Sequence, residues 1–144
     1  VTGQDSDMDI IGFVKDMTGI CIQIFFVRKG KLLGRDNFFL QDDGESEQEV
    51  ITAFVKQYYN EASYIPREIA LPVLPDAEEQ AVIEQWLAEK ARRKAELVRP
   101  QRGVKKDLLQ LANDNAVKLL EERLRKGQLS LKNAVQTAEE QQQA

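Results

Sequence analysis

The chain has 144 residues, 42% of them hydrophobic, and a formal net charge of −4, so it can bury one sizeable core and is not basic overall. It contains no histidine, which excludes Ser-His and Cys-His nucleophile pairs and removes the commonest zinc ligand. Its single cysteine, Cys21, lies in an apolar pattern without a disulfide partner, so we expect a buried, inert thiol and a reducing, cytoplasmic environment. No apolar run is long enough for a bilayer, so we expect no membrane. The first residue is not Met and the C-terminus is polar, which indicates a piece of a longer protein.

The densest β-strand pattern lies in residues 9–40. β-branched and aromatic residues recur there between two short turns that contain Gly19 and Gly30, and glycine supplies the positive φ that such turns need. The pattern predicts a three-stranded meander over residues 10–14, 20–28 and 32–40.

The segment before the meander, residues 1–8, is polar and acidic, and Asp5, Asp7 and then Asp9 stand at alternate positions. This spacing resembles the start of a calcium loop, but the glycine and the final glutamate of an EF-hand are not in register. We therefore interpret the segment as a solvated lead-in to the first strand, without a metal site.

Helical patterns dominate after the meander. Ser46 and Glu49 have the spacing of a capping box, so a helix should begin near Glu47. Three prolines in residues 64–75 exclude a long central strand but allow a short one at 68–71. Asp76 then opens a second helix. Its predicted apolar stripe consists of Val82, Ile83, Trp86 and Leu87.

A last short strand is predicted at residues 95–98, followed by a third helix that starts near Val104. Its apolar residues are Leu108, Leu111, Ala112, Ala116, Leu119 and Leu120. Gly127 is a plausible C-cap that would end the helix. We expect residues 1–127 to form one domain and residues 128–144 to be a polar tail, either a frayed helix or disordered.

The predicted order is strand, strand, strand, helix, strand, helix, strand, helix. This is the order of the ribonuclease-H-like α/β fold, in which an antiparallel meander is extended by parallel strands and helices cover the faces of the mixed sheet. The fold class is therefore α/β with a helical C-terminal extension.

Several segments also resemble a known family: DMDIIGF, CIQIFFVRKGKLLGRDNFFL, IPREIALP and VRPQRGVKKDLLQLANDNA. Over about residues 1–122 they are similar to the middle region of UvrC, the incision subunit of the bacterial UvrABC nucleotide excision repair system. The resemblance implies a place after the UvrB-binding helical motif and before the C-terminal nuclease. It implies damaged double-stranded DNA, UvrB and other UvrC domains as partners. The family's GIY-YIG nuclease, its helix-hairpin-helix elements and the Asp, Asp and His of its second nuclease are absent here, so we expect divalent metal only in those nuclease domains and no cofactor in this chain.

A nuclease on this fold would need carboxylates that converge from the first strand, the first helix, the fourth strand and the last helix. The candidates in chain order are Asp9, Glu49, Asp76 and either Asp107 or Asp114. The fit is poor because Asp9 falls at the edge of its predicted strand, the fourth strand ends without an acid, and Glu49 suits a helix cap. We therefore expect a catalytically silent domain with no catalytic residue and no metal ligand.

Basic residues are segregated into two stretches, one around the turn between the second and third strands and one in residues 90–106. Such stretches can attract a phosphate backbone even in an acidic chain. The predicted DNA-phosphate contacts are Arg28, Lys29, Lys31, Arg92, Arg93, Lys94, Arg102, Lys105 and Lys106. The helix start after Gly103 would add unpaired N–H groups. The alternative is a solvated charged face, with residues 92–94 complementing a helix C-terminus.

Adjacent phenylalanines occur twice on the predicted strands, as Phe25-Phe26 and Phe38-Phe39. One member of each pair should point to each face of the sheet, and all are core if helices cover both faces. If one face is open, its aromatic residues become a stacking platform or a docking patch.

Three functions remain. The first is a non-catalytic scaffold of an excision-repair endonuclease that contacts the DNA backbone and positions the adjacent nuclease. The second is a protein-docking module that contacts UvrB or neighbouring domains through the sheet or the long last helix. The third is an active metal-dependent nuclease. We favour the first, with the second as the alternative.

Overall fold

The computed structural model describes residues 7–143, which form five strands and three helices. The elements are β1 (Met8–Asp16), β2 (Gly19–Arg28), β3 (Lys31–Leu40), α1 (Glu47–Glu61), β4 (Glu68–Ala70), α2 (Ala77–Ala91), β5 (Glu96–Val98) and α3 (Gly103–Gln143). This order matches the one expected from the hydrophobic patterns and turn residues.

The five strands form one sheet in the order β3-β2-β1-β4-β5. The hairpin pairs β1–β2 and β2–β3 are antiparallel, whereas β1–β4 and β4–β5 are parallel. The mixed sheet with its crossover helices confirms the ribonuclease-H-like α/β fold class. β4 pairs with Met8–Ile10 of β1, so within the described chain the later half of β1 has strand β2 on one side only.

Helices cover both faces of the sheet. On one face, Ile11, Ile22 and Ile24 pack with buried residues of α1 and α2 such as Val55 and Leu87. The opposite face packs against α3, and its buried residues form two further clusters: Met8, Ile10, Phe25, Val27, Ala70, Leu109 and Ala112 in one, and Cys21, Ala116 and Leu120 in the other. A two-sided core of this kind accounts for the nearly continuous apolar sequence of β2.

The phenylalanine pairs divide between the two faces, as the strand period of two requires. Phe25 is buried under α3, whereas Phe26 and Phe38 lie on the α1 side and are partly buried. Cys21 is buried as expected, and burial raises the pKa of its thiol to about 11.

α3 approaches β1 closely through small residues. A Cβ atom on Gly12 would lie 2.5 Å from the carbonyl carbon of Ala112. Next to this contact, the backbone N–H of Phe13, which faces no strand on that side, donates to Oδ1 of Asn113 over 2.9 Å. The segment LLQLANDNA therefore supplies the small residues and the amide oxygen that let α3 pack directly on β1.

α3 does not end at Gly127, and the predicted C-cap was wrong. The helix runs through this glycine to Gln143. A glycine inside a helix costs only about 1 kcal/mol relative to alanine, and residues 128–143 are rich in Gln, Glu, Leu, Lys and Ala, which favour a helix. Across residues 7–143, no helix has both the length and the apolar character needed to cross a membrane.

The predicted apolar stripes of α2 and α3 each include one residue that is exposed in the structure. Val82 and Leu111 are exposed at 65% and 45%, whereas Ile83, Leu87 and Leu109 are buried. Each helix turns only the centre of its apolar arc to the sheet, and a residue at the margin of the arc stays in solvent.

Candidate nucleic-acid interface

Basic residues that are far apart in sequence meet at one end of the sheet. Met8 is paired with Val27 on one side and with Glu68 on the other, and Glu68 is paired with Glu96. The end of β2 and the starts of β1, β4 and β5 therefore share one edge of the sheet. We call this end the basic edge and define it by the residues that contact or flank it: Arg28, Lys29, Lys31, Arg92, Arg93, Lys94 and Lys105.

Tyr64 joins the two basic stretches. The guanidinium carbon of Arg28 lies 4.6 Å from the centre of the Tyr64 ring, and that of Arg93 lies 5.5 Å from it. The Tyr64 hydroxyl donates to Oδ2 of Asp7 over 2.6 Å, and Oδ1 of Asp7 accepts the backbone N–H of Lys29 over 2.8 Å. Slight burial opposes the effect, but these hydrogen bonds and the two arginines lower the pKa of Asp7. We call Asp7, Arg28, Tyr64 and Arg93 together the clamp. Their contacts hold the β2–β3 turn against the segment before β5.

Two lysines of the basic edge form ion pairs at its surface. Nζ of Lys94 lies 2.8 Å from Oε1 of Glu96, and Nζ of Lys105 lies 2.7 Å from Oε1 of Glu68. The second contact brings the start of α3 to the same edge as the other basic residues. Both lysine side chains are more than half exposed, and exposed pairs of this kind contribute little to stability. A phosphate could therefore replace either glutamate as the partner at small cost.

The remaining predicted contacts are exposed: Lys29, Lys31, Arg92, Arg102 and Lys106. Within residues 7–143, none of the five side chains forms an ion pair. Arg92 ends α2 with a left-handed backbone, at φ 58°. Arg102 and Lys106 are close to Lys105 in the chain, but in residues 7–143 only Lys105 of these three pairs with a residue at the start of β4.

Asp9 is buried inside β1, and its predicted position at a strand edge was wrong. It pairs with Phe26 of β2 and Ile69 of β4 and is 1% exposed. The predicted solvated lead-in was wrong at Met8, which is 5% exposed and belongs to β1, whereas Asp5 of that segment lies outside the described residues. β1 starts earlier than expected because Met8 is buried on the α3 side and has a partner on each neighbouring strand.

The carboxylate of Asp9 is held by two side chains. Nη1 of Arg28 donates to Oδ1 over 2.9 Å, and the hydroxyl of Tyr59 donates to Oδ2 over 2.6 Å. Burial raises the pKa of Asp9, although both hydrogen bonds oppose this shift. Burial also raises the pKa of Tyr59 well above its usual value, with the charge of Asp9 as a further cause. Tyr59 therefore acts as a hydrogen-bond donor to a buried ion pair.

The other acidic candidates do not converge on Asp9. Glu49 forms the predicted capping box with Ser46, and it precedes Tyr59 by ten residues, or about 15 Å of helix. Asp76 is the N-cap of α2 and accepts the backbone N–H of Glu79. The acids of α3 belong to a helix on the other face, where Asp107 and Asp114 are exposed.

These positions do not fit a two-metal centre. Such a centre needs several carboxylates around two ions, whereas both oxygens of Asp9 are already engaged by Arg28 and Tyr59. In the described part of the chain, no three His, Cys, Asp or Glu side chains come together as a metal site. The position beside the Asp9 carboxylate, where a metal ion would bind, is taken by the guanidinium of Arg28.

Sequence reasoning missed Tyr59 and Tyr64. Tyr59 had a usable signal, because Ile51, Val55 and Tyr59 follow each other at four-residue spacing and form a buried stripe on α1. A buried tyrosine needs a partner for its hydroxyl, which would have pointed to a polar group in the sheet. Tyr64 carried no comparable signal, because its contacts lie in two distant segments.

The sheet order, the helices on both faces and the β1 carboxylate define a ribonuclease-H-like domain. A comparison with family models is consistent with this class: the model described as "UvrC Ribonuclease H-like domain" matches residues 7–123. The chain belongs to this UvrC family, which confirms the resemblance seen in the sequence.

Curated relatives named UvrABC system protein C are similar over most of this chain. The protein from Acetivibrio thermocellus is 43% identical over 77% of this chain and 18% of its own length. Those from Clostridioides difficile and Alkaliphilus oremlandii are 36% and 38% identical over 83% and 85% of this chain, each over 20% of the relative. The chain thus spans about a fifth of the length of these relatives.

Proposed function

We propose that this chain is a non-catalytic domain of a UvrC-type excision-repair endonuclease, which contacts the DNA backbone and helps to position the adjacent nuclease for incision of damaged DNA. The observation that carries the proposal is the convergence of three basic segments at the basic edge. Lys29, Lys94 and Lys105 come from the β2–β3 turn, the segment before β5 and the start of α3. Cations from separate segments at one edge provide several phosphate contacts to one duplex.

The state of Asp9 supports a non-catalytic role. A metal ion at Asp9 would have to displace Arg28, whose Nη1 also donates to the carbonyl oxygens of Met8 and Val27. It would also have to displace the buried hydroxyl of Tyr59. The chain therefore uses this carboxylate to hold β1, β2 and α1 together. Metal-dependent cleavage belongs, in this proposal, to the other domains of the parent protein.

Contacts to phosphates suit a repair function, because they position a protein on DNA without reading its sequence. A repair protein that meets many lesions needs this kind of contact. The partners in the proposal are damaged double-stranded DNA together with UvrB and the other UvrC domains.

The test is the affinity of the chain for a fluorescently labelled duplex, measured by anisotropy across a salt series. The triple variant Lys29→Gln/Lys94→Gln/Lys105→Gln removes one cation from each segment of the basic edge. Each lost phosphate contact should reduce the slope of log K against log salt by about 0.9 for B-DNA, so we expect a total reduction of about 2 to 3.

A matched control removes the same charge elsewhere on the chain. Lys118→Gln/Lys126→Gln/Lys132→Gln changes three exposed lysines of α3 that lie 13 or more residues beyond Lys105. We expect the slope of log K against log salt for this control to stay close to that of the unaltered chain. Equal losses in both triple variants would show that net charge, not the basic edge, determines the affinity.

A protein-docking function is the second candidate, and the later part of α3 favours it. Residues 121–142 of this helix are exposed along their whole length. Four apolar side chains there are not covered by any other element of the described chain: Leu124, Leu129, Leu131 and Val135. If the chain does not bind duplex DNA even at low salt, docking to UvrB or to neighbouring domains becomes the better account.

A further inference from the structure

An open groove of about 560 Å³ lies between the sheet and α1. Phe26 and Phe38 contribute to it from the strands, and Phe54 and Tyr58 contribute from α1. At one end it is lined by Asp9, Arg28 and Tyr64. Its volume is in the range of sites that hold small ligands.

Aromatic rings make up much of the groove wall. The rings of Phe54 and Tyr58 are nearly parallel, with centres 5.6 Å apart and an interplanar angle of 17°. The ring of Phe38 meets them edge-on, at 5.2 Å and 5.9 Å. All three side chains are only partly buried, so part of this aromatic surface stays open to a ligand. Such surfaces favour a flat, π-bonded group.

Polar groups at the rim are available to such a ligand. Gln57, Glu61 and Ser63 line the groove and are exposed. Within residues 7–143, none of these three side chains forms a hydrogen bond. An amide, a carboxylate and a hydroxyl together offer both donors and acceptors. A nucleobase edge carries donors and acceptors of the same kind.

The groove is continuous with the basic edge. Arg28 and Tyr64 line the groove, and the same two side chains belong to the clamp with Arg93 and Asp7. A DNA strand whose phosphates lie on Lys29 and its neighbours would therefore pass the mouth of the groove. An apolar side chain of a partner protein could enter the aromatic part, but it would use neither the free polar rim nor the adjacent cations.

We propose that this groove receives a single unpaired nucleobase of a DNA strand whose backbone is held on the basic edge. The inference rests on the proposed DNA contact and adds a ligand class to it. The base stacks on the rings of Phe38, Phe54 and Tyr58, and its polar edge faces Gln57, Glu61 and Ser63. An unpaired base costs least to insert, because no base pair has to be broken.

The test compares three labelled duplexes of the same length by anisotropy: one fully paired, one with a single bulged adenine, and one with an abasic residue at the bulge. Stacking on an aromatic side chain contributes enough for about a tenfold gain in affinity. We expect the bulged adenine to bind about tenfold more tightly than the abasic bulge. The abasic duplex controls for bending at the bulge, since it lacks only the base.

Two variants, with Tyr58→Phe as a control, test whether the gain in affinity depends on the groove. Tyr58→Leu should abolish the preference for the bulged base, whereas Tyr58→Phe keeps the ring and should retain it. Ser63→Trp, at an exposed position, should fill the groove and also abolish the preference without a change in the core. Far-UV circular dichroism checks that each variant is folded.

The outcomes separate the two proposals. Equal affinities for the bulged and abasic duplexes, with a normal salt slope, would overturn base insertion and leave the phosphate contacts in place. A preference that survives both Tyr58→Leu and Ser63→Trp would also overturn it, because the base would bind elsewhere. No binding to any of the three duplexes would overturn both the base site and the proposed DNA contact.

Discussion

Replacing Arg28 by Met should destabilise the chain by about 3 kcal/mol at pH 7. The change keeps the aliphatic stem but removes the guanidinium from Asp9, whose side chain is 2% exposed. Breaking a buried ion pair costs about 3–5 kcal/mol when one charge is left alone. The protein can instead protonate Asp9, which from an ordinary pKa of 3.8 costs about 4 kcal/mol at pH 7. Burial already raises the pKa of Asp9 in the unaltered chain. The stability lost on replacing Arg28 therefore lies below the free energy of protonating Asp9 from its ordinary pKa.

The loss of unfolding free energy caused by Arg28→Met should increase with pH. The folded-state pKa of Asp9 is raised above its unfolded value, so the folded state binds more protons between the two values. The free energy of unfolding therefore falls as pH rises through this window. Arg28→Met widens the window, because it removes the cation that opposes the shift. The difference between variant and unaltered chain should be smallest near pH 4 and grow towards pH 7.

Urea denaturation at several pH values measures this difference. Asp9→Asn in the Arg28→Met background should recover about 1–2 kcal/mol at pH 7, because it removes the isolated charge and keeps an acceptor for Tyr59. Lys126→Met is a matched control, since it breaks an exposed pair with Glu122 and should change stability by only a few tenths of a kcal/mol. A loss below about 1 kcal/mol that does not vary with pH would show that Arg28 and Asp9 do not behave as a buried ion pair.

Two glycines give further predictions. Gly12→Ala would place a Cβ 2.5 Å from the Ala112 carbonyl carbon, so we expect a loss of about 2 kcal/mol or more in urea denaturation. Gly34→Ala is its control, because the nearest atom is 3.6 Å away, and equal losses would contradict the close helix contact. Gly127→Ala should increase far-UV helicity, since the site is mid-helix with no neighbour within 4 Å and alanine is favoured by about 1 kcal/mol. A decrease in helicity would instead indicate a helix end at Gly127.

Local patterns were enough to predict the order of the elements. The start of α1 depends on Ser46 and Glu49, which are three residues apart, and that of α2 depends on the cap at Asp76. The strands of the meander follow from β-branched residues and two glycine turns. These signals need no knowledge of distant contacts, so the sequence alone carries them.

Distant contacts determined what the sequence did not reveal. The start of β1 depends on Val27 and Glu68, so Asp9 could not be placed inside the strand from its neighbours. The partner of Asp9, Arg28, follows it by 19 residues. Both basic stretches were visible as charge runs, but only the sheet register and Tyr64 bring them to one edge.

The most direct test of the proposed DNA contact is a map of the amides that respond to DNA. Titrating the ¹⁵N-labelled chain with a short duplex and following the amide chemical shifts would provide it. If DNA lies on the basic edge, the largest changes should fall at Asp7, Lys29, Lys94 and Lys105 and their neighbours along that edge. Changes confined to the acidic loop at residues 42–45 or to the later part of α3, with the basic edge unaffected, would show that DNA binds elsewhere on the chain.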